Sequence, residues 1–371
     1  MKRTTLSTVC KPRNGVLALS GYGIQVGVES GHLCIEDGIA GERRRGRFPR
    51  VERELKRVVI LGRSGSITFD ALRWMQDVGI SFVQLGSDGQ LVATSGRSGF
   101  NDARLRRAQA TAIENGIGLR ISQMLIHQKL IGQLEILKRF REGEAIKFVG
   151  EIVKQIENSE STDELRWLES RAANQYWKAW RDIQIIFVER DSDKIPEHWH
   201  TFGTRSSLIS SPSARRASNP INAILNYLYS ILESESRIAA LAVGLDPGIG
   251  LMHSDLRSRD SLACDVMEPI RPSVDKFVLE LLEKRAFRKS EFFETSQGNC
   301  RIMPPLTKSF AETAQRWKLQ IAPITEKVAA LLFSDTEKKS KNKLPTPLTE
   351  SQRSAGRAKY RQRYASVSEV D

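Results

Sequence analysis

Cysteine is scarce: four residues in 371, at positions 10, 34, 264 and 300, with no C-x-x-C spacing. They supply neither a zinc knuckle nor a disulfide framework, which fits a reducing cytoplasm. No apolar run approaches the roughly 18–20 residues that cross a bilayer, so no membrane association is expected. Residues 1–10 have a basic start but lack the apolar segment of a secretory leader. The G-x-x-x-x-G-K-[ST] phosphate loop is absent too. With 26 Gly and 13 Pro the chain is not collagen-like, and 40% hydrophobic residues is too many for a disordered chain. Acids are outnumbered, 44 Asp+Glu against 57 Lys+Arg, leaving a net charge of +13 that points to a polyanionic partner.

What is present suits two domains. Brief β-rich runs occupy residues 15–20, 24–28, 33–35, 58–61, 66–69, 80–85 and 91–93, with glycine-bearing turns at 30–32 and 87–89 and one helix at 70–77. After residue 98 the apolar spacing changes to three and four. It predicts helices over 103–116, 117–132, 134–140, 144–156, 164–180, 219–244, 274–286 and 306–333, the last interrupted at Pro323. The expected fold is α+β: a β-rich domain at 1–98, then a larger all-helical domain at 102–335. The 336–371 tail holds nine Lys/Arg against four Asp/Glu with few large apolar residues, and is expected to be disordered.

Chemistry concentrates in the helical part. Asp246-Pro247-Gly248-Ile249-Gly250-Leu251-Met252-His253 delivers an imidazole from non-helical backbone. Downstream, Asp265 and Glu268 share a helical face, and Pro269 makes residue 268 a boundary, with the acids at the mouth of a new helix. Histidine with carboxylates suits Mg²⁺ or Mn²⁺; the alternative is a loop His, a capping Asp and a solvent-facing Glu. Glu169 lies beside the stripe Leu165, Leu168, Ala172, Tyr176, Trp180, on a helix begun by the capping pattern Ser161-Thr162-Asp163-Glu164. By itself it reads as a snorkelling surface Glu or as an acid with a partner or a metal. Asn219 or Asn222 caps the helix that follows. Two basic clusters, Arg43-Arg44-Arg45 with Arg47 and Arg215-Arg216, are candidates for DNA-backbone contact, the first otherwise a solvated loop.

Four motifs stand in order: Leu168-Glu169-Ser170-Arg171-Ala172-Ala173-Asn174-Gln175-Tyr176-Trp177; Asn219-Pro220-Ile221-Asn222 with Leu225-Asn226-Tyr227; Gly244-Leu245-Asp246-Pro247-Gly248 through His253; and Asp265-Val266-Met267-Glu268-Pro269-Ile270-Arg271-Pro272. Together they resemble the CRISPR-associated adaptation integrase, the Cas-one family, over roughly residues 13–335. The resemblance implies an N-terminal β-domain that forms a homodimer and a helical domain holding one Mg²⁺ or Mn²⁺ on Glu169, His253 and Glu268. Relatives often carry Asp where Glu268 stands. Asp265 completes the implied catalytic set, either tuning His253 or binding a second ion. The implied chemistry is attack of a 3′-hydroxyl of captured DNA on a phosphodiester of a CRISPR repeat, or endonuclease action on branched DNA. The implied partners are double-stranded and branched DNA and a small Cas-two family protein. Two other readings are an integrase of a self-synthesising mobile element and an inactive DNA-binding subunit.

Overall fold

The computed structural model describes residues 8–38, 43–51, 54–62, 64–86, 91–95, 103–203, 217–253 and 259–334. The expected turn at 87–89, Arg215-Arg216 and the 336–371 tail lie outside the described residues. The N-terminal strands are β1 (Thr8–Val9), β2 (Val16–Ser20), β3 (Ile24–Glu29), β4 (His32–Asp37), β5 (Arg44–Phe48), β6 (Arg57–Leu61) and β7 (Gly65–Ile67), followed by α1 (Phe69–Asp77), β8 (Ser81–Leu85) and β9 (Leu91–Ser95). They build a five-stranded sheet in the order β1-β5-β4-β3-β7 and a four-stranded sheet in the order β2-β6-β8-β9. Ser30 and Gly31 both take positive φ and close the β3–β4 hairpin, as a two-residue turn matched to strand twist requires.

Strand β5 is a departure from the sequence reading. The run Arg44-Arg45-Gly46-Arg47-Phe48 has no β-branched residue, yet it pairs antiparallel with β4 along its length. Gly46 permits this: a Cβ there would meet the Phe48 ring at 2.8 Å and Cys10 at 2.9 Å.

Side chains alternate across β2. Leu17 and Leu19 join Ile24, Val26, Leu33, Ile35 and Trp74 in the core between the two sheets. Val16 and Ala18, with Val59, Val83 and Leu85, belong instead to the core of the helical part. The four-stranded sheet is therefore covered on both faces, which explains why its parallel strands are largely apolar.

The helices are α2 (Ala103–Thr111), α3 (Ile117–Phe140), α4 (Gly143–Ile156), α5 (Thr162–Lys178), α6 (Pro220–Val243), α7 (Ser261–Met267) and α8 (Arg271–Lys284). A small hairpin of β10 (Phe292–Glu294) and β11 (Cys300–Ile302) precedes α9 (Leu306–Ala311) and α10 (Ala314–Ser334). The α+β class holds, with this one hairpin added to the helical part. Helix α3 runs unbroken where two helices were expected, and α10 continues through Pro323. Packing of Ile321, Ala322 and Val328, all buried, keeps the second helix together despite the lost backbone bond. Asn219 caps α6 by accepting from Asn222 N, and Ser161 caps α5 by accepting from Glu164 N. Among the described residues no helix is long and apolar enough to cross a membrane.

Candidate active site

The Gly-rich loop after α6 is pinned from two sides. Gln109 of α2, fully buried, donates through Nε2 to the carbonyls of Asp246 (2.7 Å) and Ile249 (2.8 Å), and its Oε1 accepts from Asp246 N at 2.9 Å. From the other side, the buried Asp265 of α7 accepts four donors. Its Oδ2 takes Leu251 N (2.7 Å) and Met252 N (3.1 Å); its Oδ1 takes His253 N (3.1 Å) and His253 Nδ1 (2.5 Å). Gly250 allows the loop to lie this close, since a Cβ there would stand 2.5 Å from His253 O. A carboxylate only accepts, so Nδ1 carries the proton and Nε2 is left as the ring's electron-pair donor. Asp265 thus orients His253, and its own lone pairs are largely committed within the loop.

Glu268 does not open a new helix. It begins a 3₁₀ turn (Glu268–Ile270) through which α7 passes into α8 with helical backbone angles throughout. Its buried carboxylate meets Arg271 Nη1 at 2.7 Å through Oε1 and Lys129 Nζ at 2.5 Å through Oε2. Lys129, on α3, also donates to Glu169 Oε1 of α5. Two of the expected acids therefore converge on one buried ammonium. Helix α3 reaches this position because Gly132, one turn beyond Lys129, lies against Pro272 so tightly that a Cβ would meet the proline Cβ at 2.7 Å.

Burial opposes ionisation of Glu268, but Arg271, Lys129 and the nearby His253 outweigh it and hold the carboxyl well below the usual range. Burial likewise lowers the Lys129 pKa, and Glu268 and Glu169 more than reverse it, leaving the ammonium above its ordinary value. Arg271 is itself held in place: its guanidinium lies 4.5 Å over the Tyr229 ring. Tyr229 and Tyr176 both donate through their hydroxyls to the buried Asp275, Tyr176 at 2.8 Å.

Sequence reasoning placed Glu169, His253, Asp265 and Glu268 in one region and passed over Lys129, Gln109, Arg271 and Asp275. Lys129 left a signal: it falls within the apolar series Leu125, Ile126, Leu130, where a charge has to find a partner. Of the basic cluster, Arg43 and Arg44 serve the sheet. Arg43 donates to Glu36 and to the carbonyls of Tyr22 and Gly23, and Arg44 to the fully buried Asp37 and to Ala18 O. Arg45 donates to Glu36 as well, at 3.1 Å, and Arg47 approaches His32 at 3.4 Å; both also border a groove of about 600 Å³ over β3, β4 and β5.

Two carboxylates and one imidazole with no thiolate could hold a hard divalent ion, Mg²⁺ or Mn²⁺, and the convergence of Glu169 and Glu268 on a single cation fits such a group. Among the described residues no three His, Cys, Asp or Glu side chains are grouped as a ready-made metal site, and the Lys129 ammonium pairs with both acids.

Residues 17–316 match the family described as CRISPR associated protein Cas1. The chain is 28% identical over 297 residues to CRISPR-associated endonuclease Cas1 1 of Archaeoglobus fulgidus, covering 74% of this chain and 80% of that protein. It is 30% identical over 258 residues to CRISPR-associated endonuclease Cas1 2 of Rhodospirillum rubrum, covering 65% and 70%. Among solved structures, a casposase bound to integration product aligns with a TM-score of 0.70 at 24% identity, over 90% of this chain and 93% of that one. A Cas1 protein from Thermotoga maritima aligns at 0.65 and 18% identity, over 88% and 100%.

Proposed function

Since the chain belongs to the CRISPR-associated Cas1 family, we propose that it is a metal-dependent DNA integrase and endonuclease that inserts short captured DNA into a CRISPR array. The observation that carries this reading is the convergence of Glu169 and Glu268 on one buried cation, with Glu268 also in electrostatic reach of His253, which Asp265 orients. Glu169, His253 Nε2 and Glu268 would hold the ion. When bound, Mg²⁺ or Mn²⁺ would polarise a phosphoryl oxygen and stabilise the charge that develops on it. The chain's own residues do the positioning. Asp265 keeps the His253 proton on Nδ1, Arg271 keeps Glu268 ionised, and Gln109 keeps the loop closed. Strand transfer would require no nucleotide, because one phosphodiester is broken as another forms.

The net charge of +13 supports double-stranded and branched DNA as substrate, with Arg45 and Arg47 as candidate backbone contacts. We also propose a homodimer formed through the N-terminal sheets, and a heterocomplex with a Cas2 protein, as in a Cas6-RT-Cas1–Cas2 complex of which 36% of one chain aligns with this one at a TM-score of 0.66. The test is strand transfer of a labelled duplex into a supercoiled plasmid carrying a repeat array, with Mn²⁺ or Mg²⁺. His253→Ala and Glu268→Ala should abolish product while DNA binding persists. Full activity in both variants would overturn the site.

A further inference from the structure

The cation between the two acids is a lysine that the four motifs leave out. Lys129 is 5% exposed and projects from α3 among Leu125, Ile126 and Leu130. Burying an ammonium is costly unless partners offset the lost hydration. Here the two carboxylates that meet it are Glu169 and Glu268, the acids proposed above to hold the divalent ion. The local charges already balance: Glu169 and Glu268 face Lys129 and Arg271. A divalent ion entering while both side chains stayed in place would put four positive charges against two carboxylates.

The two basic residues differ in freedom. Arg271 is clamped between Glu268 and the Tyr229 ring. Lys129 is a point charge on a flexible four-carbon stem with three rotatable donors.

We propose that Lys129 is a resident counter-cation that competes with the divalent metal for Glu169 and Glu268, so that both acids grip the metal only when the ammonium transfers to a DNA phosphate. This rests on the metal-dependent reading and adds its regulation. Metal and DNA then bind cooperatively, and by linkage each raises the other's affinity by the same factor. Lys129 restrains metal loading in the free protein and favours it at the substrate.

The test is calorimetric titration of Mn²⁺ into the full chain, with and without a short blunt duplex, corrected for Mn²⁺ taken up by the duplex alone. Wild type is compared with Lys129→Met, Lys129→Gln and Glu169→Gln. Without DNA, Lys129→Met and Lys129→Gln should bind Mn²⁺ at least about tenfold more tightly than wild type, the scale of one lost charge-assisted competitor. The duplex should tighten Mn²⁺ binding by a larger factor in wild type than in either Lys129 variant. Lys129 variants that bind no more tightly than wild type would overturn the proposal, even with wild-type binding intact and sensitive to Glu169→Gln. If neither Lys129 variant folds, the wild-type arm decides: a duplex that leaves Mn²⁺ affinity unchanged overturns the proposal. Absence of any Glu169-dependent Mn²⁺ binding is a separate result, which overturns the metal reading itself.

Discussion

Asp265→Asn tests the role assigned to the buried carboxylate with little change in shape. The native group accepts Leu251 N at 2.7 Å, Met252 N at 3.1 Å, His253 N at 3.1 Å and His253 Nδ1 at 2.5 Å, two donors on each oxygen. Asparagine retains one oxygen and turns an NH₂ toward the other two N–H groups, so two of the four bonds are lost whichever way the amide lies. Hydrogen bonds to a charged group contribute about 1.5–3 kcal/mol each, placing the loss near 3–6 kcal/mol. Most of it falls on the 246–253 loop, which opens locally while the helices around α7 persist. With the NH₂ toward His253, the imidazole loses the acceptor that fixes its Nδ1–H tautomer; with the NH₂ toward Leu251 and Met252, the loop that carries His253 loses its anchor. Loss of such an outer partner ordinarily lowers metal affinity or activity about 10–100-fold. Strand-transfer rate in Mn²⁺ and calorimetric Mn²⁺ affinity should both fall by that factor, with DNA binding unchanged. An Asp265→Asn protein within twofold of wild type in both measurements would refute the positioning role.

Two further outcomes concern the seam between the strand-rich and helical parts. Arg57 of β6 and Glu235 of α6 form an ion pair buried on both sides. Arg57→Met should destabilise the fold by about 3–5 kcal/mol in denaturant titration by stranding the carboxylate, and adding Glu235→Leu should recover most of it; an additive double mutant would refute the pairing. Lys318 of α10 is pushed down to about 8 by burial, with Arg57 and Lys56 adding repulsion. Its folded pKa lies below the unfolded value near 10.5, so between those values the unfolded chain binds more protons and stability rises with pH. After a discount for partial exposure, Lys318→Met should stabilise by about 1–2 kcal/mol at pH 7. That gain should fade toward pH 10.5 in thermal melts; a gain independent of pH would exclude the cause.

Much of the architecture was legible because it follows from local periodicity. The β3–β4 hairpin, the Asn219 and Ser161 caps and the change from two-residue to three- and four-residue spacing are properties of short stretches of chain. The basic strand β5 was not legible, since its pairing depends on a glycine that clears space for Phe48 and Cys10. Nor was the continuity of α10 through Pro323, which packing at Ile321, Ala322 and Val328 enforces.

The same division runs through the candidate site. Motif order nominates Glu169, His253, Asp265 and Glu268, because each residue type and its neighbours can be read in the chain. Only the tertiary structure decides what each faces. It directs Asp265 to the loop backbone and His253, spends Arg44 on a buried aspartate, and seats Lys129 between Glu169 and Glu268. The physical reason is that a side chain's charge state and partners depend on everything within a few ångströms. At this site those neighbours come from α3, α5 and the α7–α8 junction, which are distant along the chain and meet only through packing.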